Sequence, residues 1–325
     1  MTEKTRKHKV LVAGPKILCE SIKRILEKKP IYDTILAEEG GEAETIIKTE
    51  NLSLVIVSMN LSNMNGFALI HRMREYHSHL PYILLTSSHI SEVIGLAHEY
   101  DVGYIISKYL KERDLFNIIH KLLNQNKLFG LKNYINVQEK HISSYEITKS
   151  KQLSEVSQLV SKAVDTLSLD STLKRTVRLV FDEMVINAYY HAHGFGEEKK
   201  KGLEIDLPES KKILVQWGND RDKFALSISD FEGTLSTLKV LKTLSDVIQN
   251  NEKMLKAIQE GKDPLPYLTE TGRGFQIALD GASEFYVNII PNQLTQILIL
   301  FSLSPPDPSK PAGQSLKLIE SIQSN

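Results

Sequence analysis

Two sets of residues in the second half of the chain have types and spacings that could do chemistry. Glu183 and Asn187 stand four apart in Glu183-Met184-Val185-Ile186-Asn187-Ala188, so on a helix they project from one face. Alone, Glu-x-x-x-Asn is an ordinary solvated helix edge, and it gains meaning only from residues further along the chain. Asp230 closes the apolar run Phe224–Ser229, with Gly233 close behind. Thr271-Gly272-Arg273-Gly274-Phe275 then opens an apolar, helix-like stretch to Leu279. Glycines at a helix start let backbone N–H groups approach a phosphate, aided by the helix dipole. The same glycines also serve a tight helix entry, and Arg273 either contacts phosphate or lies in solvent. His191 and His193 have no cysteine or carboxylate pattern nearby to complete a metal site, so a structural role near a helix end is expected.

The elements that must position these residues divide the chain in two. From Lys9 to about Gln125, short apolar runs (Val10–Ala13, Thr34–Ala37, Leu54–Val57, Tyr82–Leu85, Gly103–Ile106) alternate with helix-period segments. Five such units predict an α/β fold, a flavodoxin-like doubly wound parallel sheet with ligands at the carboxyl ends of its strands. Residues 126–140 are polar with weak periodicity and are expected to be a linker. Beyond it the spacing predicts a strand at His141–Thr148, a helix at Lys151–Leu167 and a second helix to Ala192 capped by Asp170 or Ser171. Strands at Ile213–Trp217 and Phe224–Ser229, a helical segment Leu235–Ile258 and a hairpin Phe285–Ile290/Thr295–Phe301 come next. Pro305–Pro311 opens a tail, 304–325, in which Leu316, Ile319 and Ile322 suggest a short amphipathic helix able to dock.

Forty basic side chains balance forty acidic ones, so no net field draws the molecule to nucleic acid or anionic membrane. One cysteine, Cys19, permits neither an internal disulfide nor a cysteine-rich zinc site. The basic start lacks a signal-peptide apolar region, and Leu294–Leu303 is too short to span a bilayer. A soluble, cytoplasmic protein is the expectation.

Residues 9 to 125 resemble the receiver domain of bacterial response regulators. Gly66, in Asn63-Met64-Asn65-Gly66, matches the turn after the third strand, Thr86 the hydroxyl ending the fourth, and Lys108 the lysine after the fifth. The resemblance implies a phosphoacceptor aspartate eight residues before Gly66, but Ser58 stands there. Gly14 and Pro15 replace the acidic pair that holds magnesium. Aspartyl phosphorylation needs a carboxylate nucleophile and hard oxygen ligands for Mg²⁺. A pseudo-receiver is expected, without Mg²⁺. It is either an interaction domain with no switch or one switched by partner binding through Thr86 and the Tyr104 region.

Residues 142 to 302 resemble the histidine-kinase-like ATPase superfamily, most closely its serine-kinase anti-sigma-factor branch, an α/β sandwich of the Bergerat type. Glu183, Asn187, Ala188 and His191-Ala192 match the asparagine box. By this resemblance Asn187 holds Mg²⁺, Glu183 orients or deprotonates the attacking group, and Asp230 accepts from the adenine amine. Gly272 and Gly274, with Arg273 between them, match the second glycine box beside the phosphates. The first glycine box departs from the family: Asp230-Phe231-Glu232-Gly233-Thr234-Leu235 has one glycine shifted to Gly233 and the other replaced by Leu235. Glu232 puts a carboxylate where nucleotide would lie, and the segment 235–258 either closes over nucleotide or occupies its site.

These readings lead to domains at 1–125 and 141–303. The expected protein is a bacterial signalling regulator that sequesters a partner such as a sigma factor or an anti-sigma antagonist. ATP and Mg²⁺ would bind in the second domain, a homodimer is open, and nucleic acid and membrane are not expected partners. The rivals are a serine/threonine kinase using Mg-ATP and a nucleotide-free scaffold.

Overall fold

In the computed structural model the described residues are 7–109, 111–124, 127–138, 141–268, 272–304 and 315–321. The chain divides into two compact units between Asn126 and Lys127.

In the first unit, strands β1 (His8–Ala13), β2 (Tyr32–Ala37), β3 (Leu54–Ser58), β4 (Tyr82–Thr86) and β5 (Tyr104–Ser107) alternate with helices. These are α1 (Lys16–Leu26), α2 (Gly40–Thr49), α3 (Gly66–Tyr76), α4 (Ile90–Glu99) and α5 (Glu112–Leu123). The strands pair in parallel in the order β2-β1-β3-β4-β5, the expected doubly wound arrangement. Val10 to Ala13 and Leu54 to Val57 are buried throughout, as strands covered on both faces must be. Asn65 caps α3 by accepting from the N–H groups of Phe67 and Ala68. Gly66 has no room for a side chain, because a Cβ there would lie 2.3 Å from the Ser58 carbonyl oxygen.

The second unit holds β6 (Ser143–Ile147), α6 (Gln152–Asp165), α7 (Ser171–Ile186), a short α8 (Gly196–Lys200), β7 (Ile213–Asn219) and β8 (Lys223–Asp230). They are followed by α9 (Thr237–Gln259), α10 (Arg273–Gly281), β9 (Glu284–Ile290), β10 (Leu294–Ser302) and β11 (Leu316–Glu320). The sheet runs β6-β7-β8-β10-β9-β11, antiparallel except for the parallel pairing of β11 with β9. Asp170 caps α7 by accepting from Leu173 N–H.

Two expectations are corrected here. The segment read as a linker belongs to the second unit: Leu131, Tyr134 and Ile135 are buried against Ala225, Tyr286, Leu298 and Leu300. Tyr134 lies edge-on to Tyr286 at 4.8 Å between centroids and donates to Leu128 O at 2.6 Å. The tail is not a helix over Leu316–Ile319 but strand β11, with Leu316 and Leu318 buried. Ile322, Thr271 and Pro305–Pro311 lie outside the described residues. Among the described residues no helix is long and apolar enough to cross a membrane.

Candidate functional site

At the carboxyl ends of the first unit's strands, Ser58 ends β3 and is 8% exposed. Gly14 follows β1, so close that a Cβ at Gly14 would stand 2.9 Å from Ser58 Cβ. Thr86 is buried and its hydroxyl is already engaged, donating to Met59 Sδ and accepting from Ser88 N–H. Lys108 donates its backbone N–H to Thr86 O at 2.8 Å, while its ammonium lies 5.4 Å from the Tyr109 ring centroid. Ser58, Thr86 and Lys108 therefore lie at or just past the ends of the neighbouring strands β3, β4 and β5, where Gly14, Pro15 and Ser58 bring no carboxylate. Among the described residues, no group of three or more His, Cys, Asp or Glu side chains could hold a metal.

In the second unit, Glu183, Asn187 and Gly274 come together at the end of α7. Helix α7 does not end as an α-helix but widens into a π-turn over Asn187–His191, with Ala192 N–H donating to Asn187 O. Such turns re-aim side chains and recur at functional sites. Glu183 and Asn187 face α10 across this turn. A Cβ at Gly274 would lie 2.6 Å from Met184 Cε, 3.0 Å from Glu183 Cβ and 3.2 Å from Asn187 Nδ2. A side chain at this position would require Met184 and Glu183 to shift. From the other side, Thr234 donates its hydroxyl to Ala192 O at 3.2 Å, which ties the loop after Asp230 to the end of the same turn.

Asp230 is 6% exposed, and its Oδ1 accepts from the N–H groups of Glu232 and Gly233, each at 3.1 Å. Burial raises its pKa above the ordinary carboxylate range, and the two backbone bonds offset this only in part. Gly233 takes φ +58°, and a Cβ there would meet Gln293 N and Ile290 O at 2.5 Å, so the β9–β10 turn demands glycine. Glu232 pairs with Lys211 at 3.0 Å.

Gly272 is the left-handed N-cap of α10, at φ +85°. A Cβ there would stand 2.4 Å from Thr243 Cγ2 and 2.8 Å from Val247 Cγ2 of α9. Its bare face is turned toward α9, which accounts for the glycine through packing. Arg273 begins α10. Both ring nitrogens of His193 lie at hydrogen-bond distance from backbone carbonyls, Tyr189 O at 3.1 Å and Lys211 O at 3.0 Å, so neither is open to a metal. His191 has its pKa lowered by burial and then by Lys199, Lys239 and Lys200. The π-turn, the Thr234 staple and the Glu232–Lys211 pair were not legible in the sequence. The last two depend on contacts distant along the chain.

Residues 10–120 match the model of the response regulator receiver domain. The chain is 34% identical over 116 residues to the "Probable transcriptional regulator ycf27" of Porphyridium aerugineum, an overlap covering 33% of this chain and 47% of that protein. It is 30% identical over 90 residues to the "Transcriptional regulatory protein YvrH" of Bacillus subtilis (strain 168), covering 27% and 38%. The chain thus spans less than half the length of these curated relatives. Among solved structures, a CheY-like receiver domain protein from Methanospirillum hungatei JF-1 is 22% identical with a TM-score of 0.35, covering 38% of this chain and 99% of that one. The receiver of an HD-domain protein from Pseudomonas fluorescens Pf-5 is 21% identical, also with a TM-score of 0.35, covering 38% and 93%.

Proposed function

We propose that this chain, whose first unit is a response regulator receiver domain, is a signalling regulator that works by binding a partner protein. In this reading the first unit does not accept phosphate and the second binds Mg-ATP. The observation that supports it best is the convergence on the Asn187–Ala192 turn: Gly274 presses against Glu183 and Asn187, and Thr234 reaches Ala192 from the loop after Asp230. Gly274 brings the start of α10 close to the Asn187 amide and to the helix turn that carries Glu183, the residue types that a metal-bound phosphate group would need. Asn187 would hold Mg²⁺, Asp230 and the Gly233 loop the adenine, and Gly274 with Arg273 the phosphates. The bound metal would neutralise phosphate charge. In the rival reading, a serine/threonine kinase, Glu183 would orient or deprotonate an attacking hydroxyl.

The partner class is a signalling protein such as a sigma factor or an anti-sigma antagonist, with the second unit as the sequestering surface. Calorimetric titration of the full chain with a non-hydrolysable ATP analogue and Mg²⁺ tests the nucleotide claim. Heat of binding with a rise in melting temperature is expected. Neither heat nor a thermal shift at millimolar ligand would leave the scaffold reading in its place. Phosphotransfer to a purified partner separates the kinase from the sequestering regulator.

A further inference from the structure

We propose that β11 is a strap that sets the position of α9 over the Gly272 turn and so governs access to the Asn187 face of α10. The consequence for ligand binding rests on the nucleotide reading above, whereas the mechanical claim stands apart from it.

Among the described residues of the second unit, three sets of contacts engage the strand. Its backbone pairs with β9 from Leu316↔Phe285 to Glu320↔Ile289. Lys317 is fully buried, donating to Glu284 Oε2 at 2.6 Å and to the Tyr286 hydroxyl at 2.9 Å, with its ammonium 4.1 Å from the Tyr286 ring centroid. At the other end of the strand, Glu320 Oε2 accepts from the backbone N–H of Thr237 at 3.2 Å. Thr237 is the first residue of α9, so a carboxylate of β11 sits at the positive end of that helix.

Helix α9 passes this hold on. Its buried residues lie mostly in its first half, Val240, Leu241, Leu244, Val247 and Ile248, whereas Leu255 and Ile258 are exposed. Within that half, Thr243 and Val247 fill the space at Gly272. Asn251 then donates to Gln276 Oε1 of α10 at 2.8 Å. Two residues beyond Gly272, Gly274 rests on Glu183 and Asn187. The path from β11 to the candidate site therefore runs through contacts in one unit. An ammonium at the centre of the strand suits a strap, because Lys317 loses hydration on docking and regains it on release, which an apolar residue would not.

Hydrogen exchange on the full chain decides. In Glu320→Lys, which alters a surface side chain, the amides of Thr237–Val247 and Gly272–Gln276 should exchange about two- to fivefold faster, the factor expected for losing a carboxylate from a helix N-terminus. Lys317→Met, which keeps length and bulk, should show the same pattern with added exposure of β11. Strands β7 and β8 should keep their protection. Unchanged α9 exchange in both variants, or a loss spread equally over β7 and β8, would overturn the strap. If the wild-type chain also binds an ATP analogue, release should tighten that binding, and unchanged affinity would overturn the gating role. A wild-type chain that binds no nucleotide would sink the functional reading alone, leaving the exchange comparison to judge the strap.

Discussion

A carboxylate that accepts two backbone N–H bonds is ordinarily held ionised, yet burial wins at Asp230 and its pKa is raised. The folded state then binds the proton more tightly than the unfolded chain does. Stability contributed by this group is full below the ordinary aspartate pKa and is lost as pH rises through the higher folded value. Asp230→Asn should therefore melt at the same temperature as wild type or higher at neutral pH, with the gap closing toward about pH 4. The same substitution should weaken an ATP analogue by about ten- to a hundredfold, since a charge-assisted bond is worth roughly 1.5–3 kcal/mol. Thermal melts and calorimetry on one variant would show the two effects in opposite directions. A lower melting temperature at neutral pH would refute the first. At the receiver end the residues decide differently. Ser58→Asp restores a nucleophile but no metal ligands, and the Gly14–Ser58 approach leaves no room to add a carboxylate at Gly14 without moving backbone. Beryllofluoride with Mg²⁺ should give no adduct with wild type or Ser58→Asp, as read by fluorine resonance.

At the scale of elements, Gly274 is where α10 and α7 meet. Gly274→Ala adds a methyl 2.6 Å from Met184 Cε and 3.0 Å from Glu183 Cβ. Overpacking of this kind typically costs about 1–3 kcal/mol, so the melting temperature of the second unit should fall while that of the first is unchanged. The alternating strands and helices of the first unit were legible because each carries its own local period. The second unit's helices and hairpins were read the same way, and Glu183 and Asn187, four apart in the sequence, both lie against Gly274 of α10. The π-turn that follows Asn187 left no mark in the sequence, because Ala188 and Tyr189 read as ordinary helix. The last strand reads as a helix for a physical reason. Leu316 and Ile319 match a helical spacing, while Leu316 and Leu318 equally match alternation, and five residues are too few to choose between the two. Its partner β9 and the ammonium site at Glu284 decide, and neither is local.

At the scale of the molecule, the chain divides between Asn126 and Lys127, and the ownership of 127–140 was not legible in the sequence. Asn133, Lys132 and Asn136 make that stretch polar, and they conceal three residues that cover the second unit's sheet. Leu131 is 1%, Tyr134 8% and Ile135 5% exposed. Burying side chains of this size is worth about 1.5–3 kcal/mol each, which together rivals the roughly 5–15 kcal/mol by which a domain is stable. Their removal would also strip Asn288 of the Leu128 carbonyl and the Tyr134 hydroxyl, which it reaches at 2.6 and 2.9 Å. It would uncover the Glu284 site as well. Burial pushes that carboxyl up, but the charges of Lys317 and Lys223 outweigh it and hold the group below its ordinary range. A chain beginning at residue 127 should therefore fold, whereas one beginning at 141 should not, although both contain every candidate site residue of the second unit. Tyr134→Ala in the full chain should cost about 3–5 kcal/mol, as truncating a buried aromatic does. The chain's single tryptophan, Trp217, lies buried on β7 of this unit, so its fluorescence reports this unit selectively. A cooperative denaturant transition in the 127 chain, absent in the 141 chain, is the expected result. Equal transitions in the two would mean that the segment merely lies on the sheet and contributes nothing to its stability.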